Sequence, residues 1–463
     1  MSKTTQAMAT ILLLLLVACS GVAQSASHGT QGVEAEFAAA MAAADRGDTA
    51  HAEAMLTALH RKYPAQSSVT EALGMMMAAH GRASDALPLL HAAVVQMPRS
   101  DVAHANYGAA LYNLHRKREA AVEFKRAVEL NAANGAAWQS LGRIHAEDNL
   151  HAQAADDLLH AVALEGGNAD LQLDCAQELM LAGDRPKARA MINALGNVDG
   201  VARAQSLLGQ IDEKDGSYRE AAKHLARAAE LEPSEENAWQ LSLEFLRHWT
   251  FIAAGEELDA ALKLYPQSLR LRIGLGIASF GSSNYARASQ IFAALLHDDP
   301  SNSFYASTLG MSCGTESGAL PASCELLQKY IDAHPDDQAT SIHYAHFLLG
   351  KQEDEAALKR GEALLRTVIA QNPLSAEAQF ELGKLLEDRG AWAESIPPLQ
   401  KAMSIRPSYA AAHYRLAIAY AHTGRKQDAA EEIELQKSAA RQEKDEAEAF
   451  YKKIEVFLVD LHE

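Results

Sequence analysis

Apolar side chains recur three and four residues apart along almost the whole chain, in short runs that glycine, proline or a polar turn brings to a stop. Residues 376–409 show the pattern in one pass. Phe380, Leu382 and Leu386 lie along one side of a helical pattern that runs to about Arg389, where Gly390 supplies a left-handed stop. A second pattern runs from about Trp392 to Ile405 with Ile396, Leu399 and Met403 on its apolar side. Pro407 marks its exit, because proline cannot continue a helix. Pro397 and Pro398 are placed near the first turn of that second helix, where N–H groups are free in any case. Long alternating β-branched stretches are lacking, so the pattern predicts an all-helical chain. Gly383 sits in the middle of the first helix, where glycine costs about 1 kcal/mol relative to alanine. Something must be gained there.

The pattern repeats. Gly74, Gly108 and Gly142 are 34 residues apart, as are Gly276 and Gly310, Gly383 and Ala417, and Gly390 and Gly424. Prolines at 64, 98, 233, 266, 300, 335, 373 and 407 keep nearly the same interval, and alanines at 52, 86, 120, 154 and 188 keep it too. A fixed period of this length predicts stacked helix pairs rather than separate globules.

The residues at these positions resemble the tetratricopeptide repeat family. Its pattern appears as Trp138, Leu141-Gly142, Ala154, Leu158 and Ala161; as Leu73-Gly74, Met77, Ala86, Leu90, Ala93 and Pro98; and as Leu382-Gly383, Leu386, Leu399, Ala402 and Pro407. The resemblance implies an all-α, right-handed superhelical solenoid of about twelve repeats over residues 33–443, closed by a C-terminal capping helix over 444–463. Repeats are expected to begin near Val33, Ser67, Asp101, Gly135, Ala169, Ala202, Glu235, Leu269, Ser303, Ala339, Ala376 and Ala410. No linker interrupts that span, so one continuous superhelix is expected. In such a fold Gly383 sits where the two helices of a pair cross, and close backbone approach outweighs its propensity cost. Several repeats depart from the pattern. The first has Ala40 for the glycine, the fifth has Cys175-Ala176 and no closing proline, and Trp239 and Leu241 of the seventh cannot both be in register. The ninth and tenth carry longer turns at 315–320 and 352–359, and His346 falls at the glycine position of the tenth.

In that family the first helix of each pair lines a concave groove that holds extended peptides or partner helices. Carried over residue by residue, the groove comprises Met41, Met75, Tyr112, Asn113, Arg143 and Met180, then Arg247, Ile277, Phe280, Met311, His343, Phe347, Phe380, Lys384, Tyr414 and Ile418. Much of this set is apolar, which suits an apolar or aromatic-bearing segment better than a charged tail. The opposing reading is that tight curvature buries these side chains between repeats. The Lys and Asn pairs with which chaperone-binding members grip a terminal carboxylate are missing: Ala105 and Ala109 follow Glu71 and Met75.

Charge and processing signals narrow the setting. Acidic residues outnumber basic ones by 60 to 42, for a formal net charge of −18, which disfavours nucleic acid and anionic membrane surfaces as partners. Residues 1–18 read as a signal peptide: Lys3 precedes the apolar run Ile11–Val17, too short to span a bilayer. Leu16-Val17-Ala18-Cys19 resembles a bacterial lipobox, with Cys19 lipidated and residues 19–32 forming a flexible linker. Plain export with cleavage after a small residue such as Ala23 is the alternative. The expected location is the periplasmic face of the outer membrane for a lipoprotein, or the periplasm or exterior for a secreted chain. Cys313 and Cys324 flank a glycine-containing turn, either as a disulfide across a helical hairpin or as two buried thiols.

Catalytic patterns are lacking. The 19 histidines form no H-E-x-x-H pair, and no G-x-S-x-G elbow, P-loop or dinucleotide fingerprint appears, so neither metal nor cofactor is expected. His104 and His413 occupy the family's aromatic position and read as core rings. The leading expectation is a non-catalytic scaffold in a bacterial envelope, holding other envelope proteins or peptides in its groove. The alternative is an accessory protein for carbohydrate or cell-wall polymer, stacking sugars on Trp138, Trp239, Trp249 and Trp392.

Overall fold

The structure is a computed structural model that describes residues 31–314, 321–351 and 354–462. The signal peptide, Cys19 and all but the last two residues of the expected linker lie outside the described residues. Every regular element among the described residues is helical. The chain divides into two compact units, one ending at Val198 and the other beginning at Asp199, within the span where one continuous stack was expected.

The first unit holds five helix pairs: α1 (Gln31–Asp45) and α2 (Thr49–Lys62), α3 (Ser67–Ala79) and α4 (Ala83–Gln96), α5 (Asp101–Asn113) and α6 (Lys117–Leu130), α7 (Gly135–Glu147) and α8 (His151–Leu164), α9 (Ala169–Leu181) and α10 (Arg185–Asn193). The last of these helices is the short one, and the division between the units falls within a 3-10 turn at Val198–Gly200. The second unit opens with α11 (Ala202–Asp215) and α12 (Tyr218–Leu231), α13 (Glu235–Arg247) and α14 (Phe251–Leu264), α15 (Leu269–Gly281) and α16 (Tyr285–Asp298). It continues with α17 (Ser303–Cys313), followed by the short α18 (Pro321–Cys324) and α19 (Leu326–Ala333), then α20 (Gln338–Leu349) and α21 (Glu355–Gln371). It ends with α22 (Ala376–Asp388) and α23 (Trp392–Ile405), then α24 (Ala410–His422) and α25 (Lys426–His462). First helices begin at the expected residue in every repeat but the first and tenth, which start at Gln31 and Gln338.

Three local devices set this beat. First helices are N-capped by Ser100, Asn134, Asn168, Ser234, Ser268, Asn302, Asp337 and Ser375, whose side chains accept a backbone N–H three residues on. Inside every pair but those of the ninth and tenth repeats, where Gly314 and Gly350 stay right-handed, the turn passes through a left-handed residue among the described residues. Glycine fills it at 47, 81, 183, 216, 390 and 424, whereas His115, Asn149, Trp249 and Ser283 hold the same conformation without being glycine. The third device is the seam. The small residue of the first helix faces a large one sixteen positions on, as Gly142 faces Leu158, Gly276 faces Phe292 and Gly383 faces Leu399. A Cβ at any of the three would come within 2.5–2.8 Å of that side chain, so glycine is what lets the helices meet.

The seam also settles the register of the seventh repeat and corrects that of the tenth. In the seventh, Ser242 is fully buried and takes the glycine place opposite Leu258, so Leu241 is the residue in register and Trp239 packs, partly buried, against the same core. In the tenth the seam residue is Ala345 rather than His346, and its partner is Gly361, so small residue meets small residue. The extra residues expected as a turn over 352–359 are helical from Glu355, in a 17-residue α21. Pro397 and Pro398 fall in the second turn of α23, not its first, on its solvent side where water can serve the freed carbonyls. No break separates a capping helix at 443/444: α25 continues from Lys426 to His462, because residues 425–463 contain neither glycine nor proline. The side chains of 446–462, including the apolar set expected to cap the stack, lie outside the described residues.

Cys313 at the end of α17 and Cys324 at the end of α18 are joined by a disulfide, with their Cα atoms 5.8 Å apart. Both are buried in the core of the second unit with Phe292, Leu309, Leu327, Tyr330 and Leu365. Cys175 is a buried free thiol, pushed up to about 12 by burial.

Candidate functional site: the faces of the first helices

First helices of neighbouring repeats touch one another directly: α3 with α5 and α5 with α7 in the first unit, and α13 with α15, α17 with α20, α20 with α22 and α22 with α24 in the second. Their shared side is therefore a continuous surface along α3, α5 and α7, along α13 and α15, and along α17, α20, α22 and α24. It carries polar rungs between residues 35 apart. Asn106 donates to Glu71 Oε1 at 2.9 Å, the Tyr112 hydroxyl donates to Glu147, His248 Nε2 lies 3.2 Å from Glu213 Oε2, and His346 Nδ1 lies 3.0 Å from Glu381 Oε2. Each rung ties the first helix of one repeat to that of the next.

Burial makes these groups unlike surface charges. Burial pushes the Glu71 carboxyl up and the Tyr112 hydroxyl up to about 12, the latter reinforced by Glu147. Glu147 is partly desolvated too, yet Lys117 and Tyr112 hold it below its usual value. Burial likewise raises Glu244, with Glu213 beside it adding to the effect. Glu387 is raised by burial to about 7 despite Arg415, whose Nη1 is 3.3 Å from its Oε2.

The expected groove residues divide by exposure. In the first unit Asn113 is exposed, Met41, Met75, Tyr112 and Arg143 are half-buried, and Met180 is buried. The Arg143 guanidinium lies over the Tyr112 ring at 5.6 Å. In the second unit Arg247, Met311 and Tyr414 are exposed; Ile277, Phe280, His343, Phe347, Lys384 and Ile418 are half-buried; Phe380 is buried against Tyr409. Phe304 adds to the exposed set at 49%. His343 is drawn toward α17, where a Cβ on Gly310 would meet its Cβ at 2.9 Å, and burial lowers its pKa.

His346 is missed by a reading one residue out of register, Glu213 because no groove residue is assigned to the sixth repeat, and Trp239 stays open between two registers. Trp239 has Arg270 over its ring at 5.9 Å and packs on Gly274. The available clue was a carboxylate 35 residues from a histidine, visible for His248 with Glu213 and for His346 with Glu381. Among the described residues one group gathers three potential metal ligands: Glu213, Glu244 and His248, whose ligand atoms all lie within 4.8 Å of one another.

Two tryptophans offered for sugar stacking are covered. Trp138 stacks on His160 at 4.4 Å and donates to the Ala132 carbonyl, and Trp392 stacks on His422 at 3.8 Å. His104 and His413 are buried as expected, but as hydrogen-bonded rings. Their Nδ1 atoms lie 2.6 Å from Glu123 and Glu432, and Nε2 faces the carbonyls of Pro98 and Pro407.

Residues 358–410 and 399–443 match the tetratricopeptide repeat family model. No match is found among curated proteins. Solved structures similar to the chain include PilF of Pseudomonas aeruginosa, at 19% identity over 45% of this chain and 95% of that one with a TM-score of 0.38. MamA is similar at 19% identity over 40% of this chain and 94% of its own, with a TM-score of 0.32. YrrB, described as a tetratricopeptide protein with an unusual peptide-binding site, is similar at 19% identity over 39% and 95%, with a TM-score of 0.33.

Proposed function

We propose that this protein is an exported, non-catalytic interaction scaffold that holds an extended partner segment against the first-helix surface of its second unit. The observation that carries the reading is a run of apolar side chains left open on that surface. Phe304 and Met311 of α17 are 49% and 37% exposed, and Ile277 and Phe280 are half-buried on α15, the first helix of the preceding repeat. Acids lie before and after this run along the chain: the partly exposed Glu213 and buried Glu244 on the sixth and seventh repeats, and the buried Glu381 and Glu387 on the eleventh. The segment that fits is apolar in its middle and basic at its ends. Other envelope proteins or peptides are the partners proposed; nucleic acid is disfavoured by the charge of −18.

The setting proposed is the bacterial envelope, with Cys19 lipidated and the solenoid on the periplasmic side of the outer membrane. The Leu16-Val17-Ala18-Cys19 sequence supports this, and the Cys313–Cys324 disulfide suits an oxidising compartment. The experiment is crosslinking in intact cells through a photoreactive residue at 311, with one at the solvent-facing 394 as reference. A protein captured specifically from 311, at a segment with basic flanks, supports the reading; equal capture from both positions overturns it. Palmitate labelling of wild type but not Cys19→Ala supports the anchor, and an unlabelled wild type removes it.

A further inference from the structure

The group at Glu213, Glu244 and His248 is built unlike a surface ion pair. Glu213 lies in the last turn of α11, Glu244 in the last turn of α13, and His248 caps α13. Adjacent repeats thus bring two carboxylates onto one imidazole nitrogen: His248 Nε2 is 3.2 Å from Glu213 Oε2 and 3.4 Å from Glu244 Oε1. Glu244 is 1% exposed, and its Oε1, aimed into the group, makes no hydrogen bond. The Tyr218 ring lies against the imidazole at 4.2 Å between centroids, and Arg247 Nη1 is 3.9 Å from Glu213 Oε1.

A single proton on Nε2 can serve only one of the two oxygens at a time. The other buried carboxylate oxygen is then left bare, at a cost that buried polar groups ordinarily avoid. A divalent cation removes this conflict by accepting a lone pair from each of the three ligands at once. For a tetrahedral ion with ligands at about 2.0–2.1 Å, neighbouring ligand atoms stand about 3.3–3.4 Å apart. The two distances from Nε2 match that edge, and the three ligand atoms all lie within 4.8 Å of one another. Glu213 and His248 retain 22% and 17% side-chain exposure, which gives the ion an approach and leaves a fourth position for water. We propose that Glu213, Glu244 and His248 bind a divalent transition-metal cation of the zinc type, pinning the sixth repeat to the seventh. One nitrogen and two carboxylates select such an ion over calcium or magnesium, which take oxygen ligands in larger number. The inference does not rest on the partner surface, although a bound cation would neutralise Glu213 and Glu244 and leave Glu381 and Glu387 to face a basic flank.

The test uses the full chain purified without a histidine tag, stripped with chelator and titrated with zinc chloride by calorimetry; cobalt(II) absorption reports tetrahedral geometry. With 19 histidines in the chain, weak secondary binding is expected, so the readout is one tight site of unit stoichiometry. Expected are that site in wild type, the visible bands of tetrahedral cobalt, and a zinc-dependent rise in Tm. Glu244→Gln and His248→Gln should each weaken the site by about tenfold or more and abolish the Tm rise. Glu213→Gln, at a half-exposed position, serves where either variant fails to fold, as judged by circular dichroism. A wild type without a tight site, or variants that bind zinc as well as wild type does, overturns the proposal.

Discussion

A Cβ placed on Gly383 would lie 2.5 Å from Leu399 Cγ, closer than real side-chain atoms approach. The same opposition recurs sixteen residues apart through both units, so the seam is the structural reason for glycine in helices that would otherwise prefer alanine. Gly383→Ala is expected to cost about 1–3 kcal/mol, because the clash is with a buried branched side chain and not a flexible tip. The check is a double-mutant cycle in urea. Paired with Leu399→Ala, the penalty should be clearly smaller than the sum of the two single changes. Strict additivity would mean that the contact is not what demands glycine.

Ser283 and His115 hold left-handed backbone, φ 62° and 59°, in turns where other repeats use glycine. A residue with a Cβ is strained there, and both side chains are exposed, so little is lost by removing them. Ser283→Gly and His115→Gly are each expected to stabilise the protein by about 0.5–1 kcal/mol after allowing for the freer unfolded chain. The reverse change, Gly390→Ser, should destabilise by a similar amount. Denaturant midpoints at constant slope provide the measurement.

Burial raises Glu387 to about 7 from an ordinary 4.5, so the folded state binds a proton that the unfolded chain releases. Its contribution is therefore fully present below pH 4.5 and is lost as pH rises through about 7. Wild-type stability should decline across that window by up to about 3 kcal/mol from this group. Glu387→Gln keeps the shape, removes the titration and should flatten the decline. A variant whose pH profile runs parallel to that of wild type would show that Glu387 is charged throughout.

Phe304 and Met311 lie open on the second unit and contribute little to its core. Phe304→Asp and Met311→Asp are expected to leave the melting temperature within a few degrees of wild type. Each should nonetheless cut capture of the partner segment by about tenfold or more, since it places a charge where an apolar side chain would be buried. Variants that capture the partner as wild type does would move the binding surface elsewhere.

Much of this architecture was legible without coordinates because each repeat carries its own punctuation. The glycine and proline series placed most helix starts to the residue. The N-cap series from Ser100 to Ser375 was equally open to view, although the seam glycines and exit prolines alone sufficed for the count. Register was ambiguous or wrong where that punctuation failed: the seventh repeat uses Ser242 in place of glycine and leaves Trp239 and Leu241 both open, and the tenth has its small residues at Ala345 and Gly361, so a sequence reading puts His346 at the seam.

The sequence by itself determined the period, the helix pairs and their order, since caps, stops and seams act over distances shorter than one repeat. Only the tertiary structure decided the division at Val198, which groove positions are open and which, like Met180 and Phe380, are buried. It also decided that Glu213, Glu244 and His248 meet. Those outcomes depend on how one repeat stacks on the next, and that angle is set by side chains about 35 residues apart whose contacts no local pattern encodes.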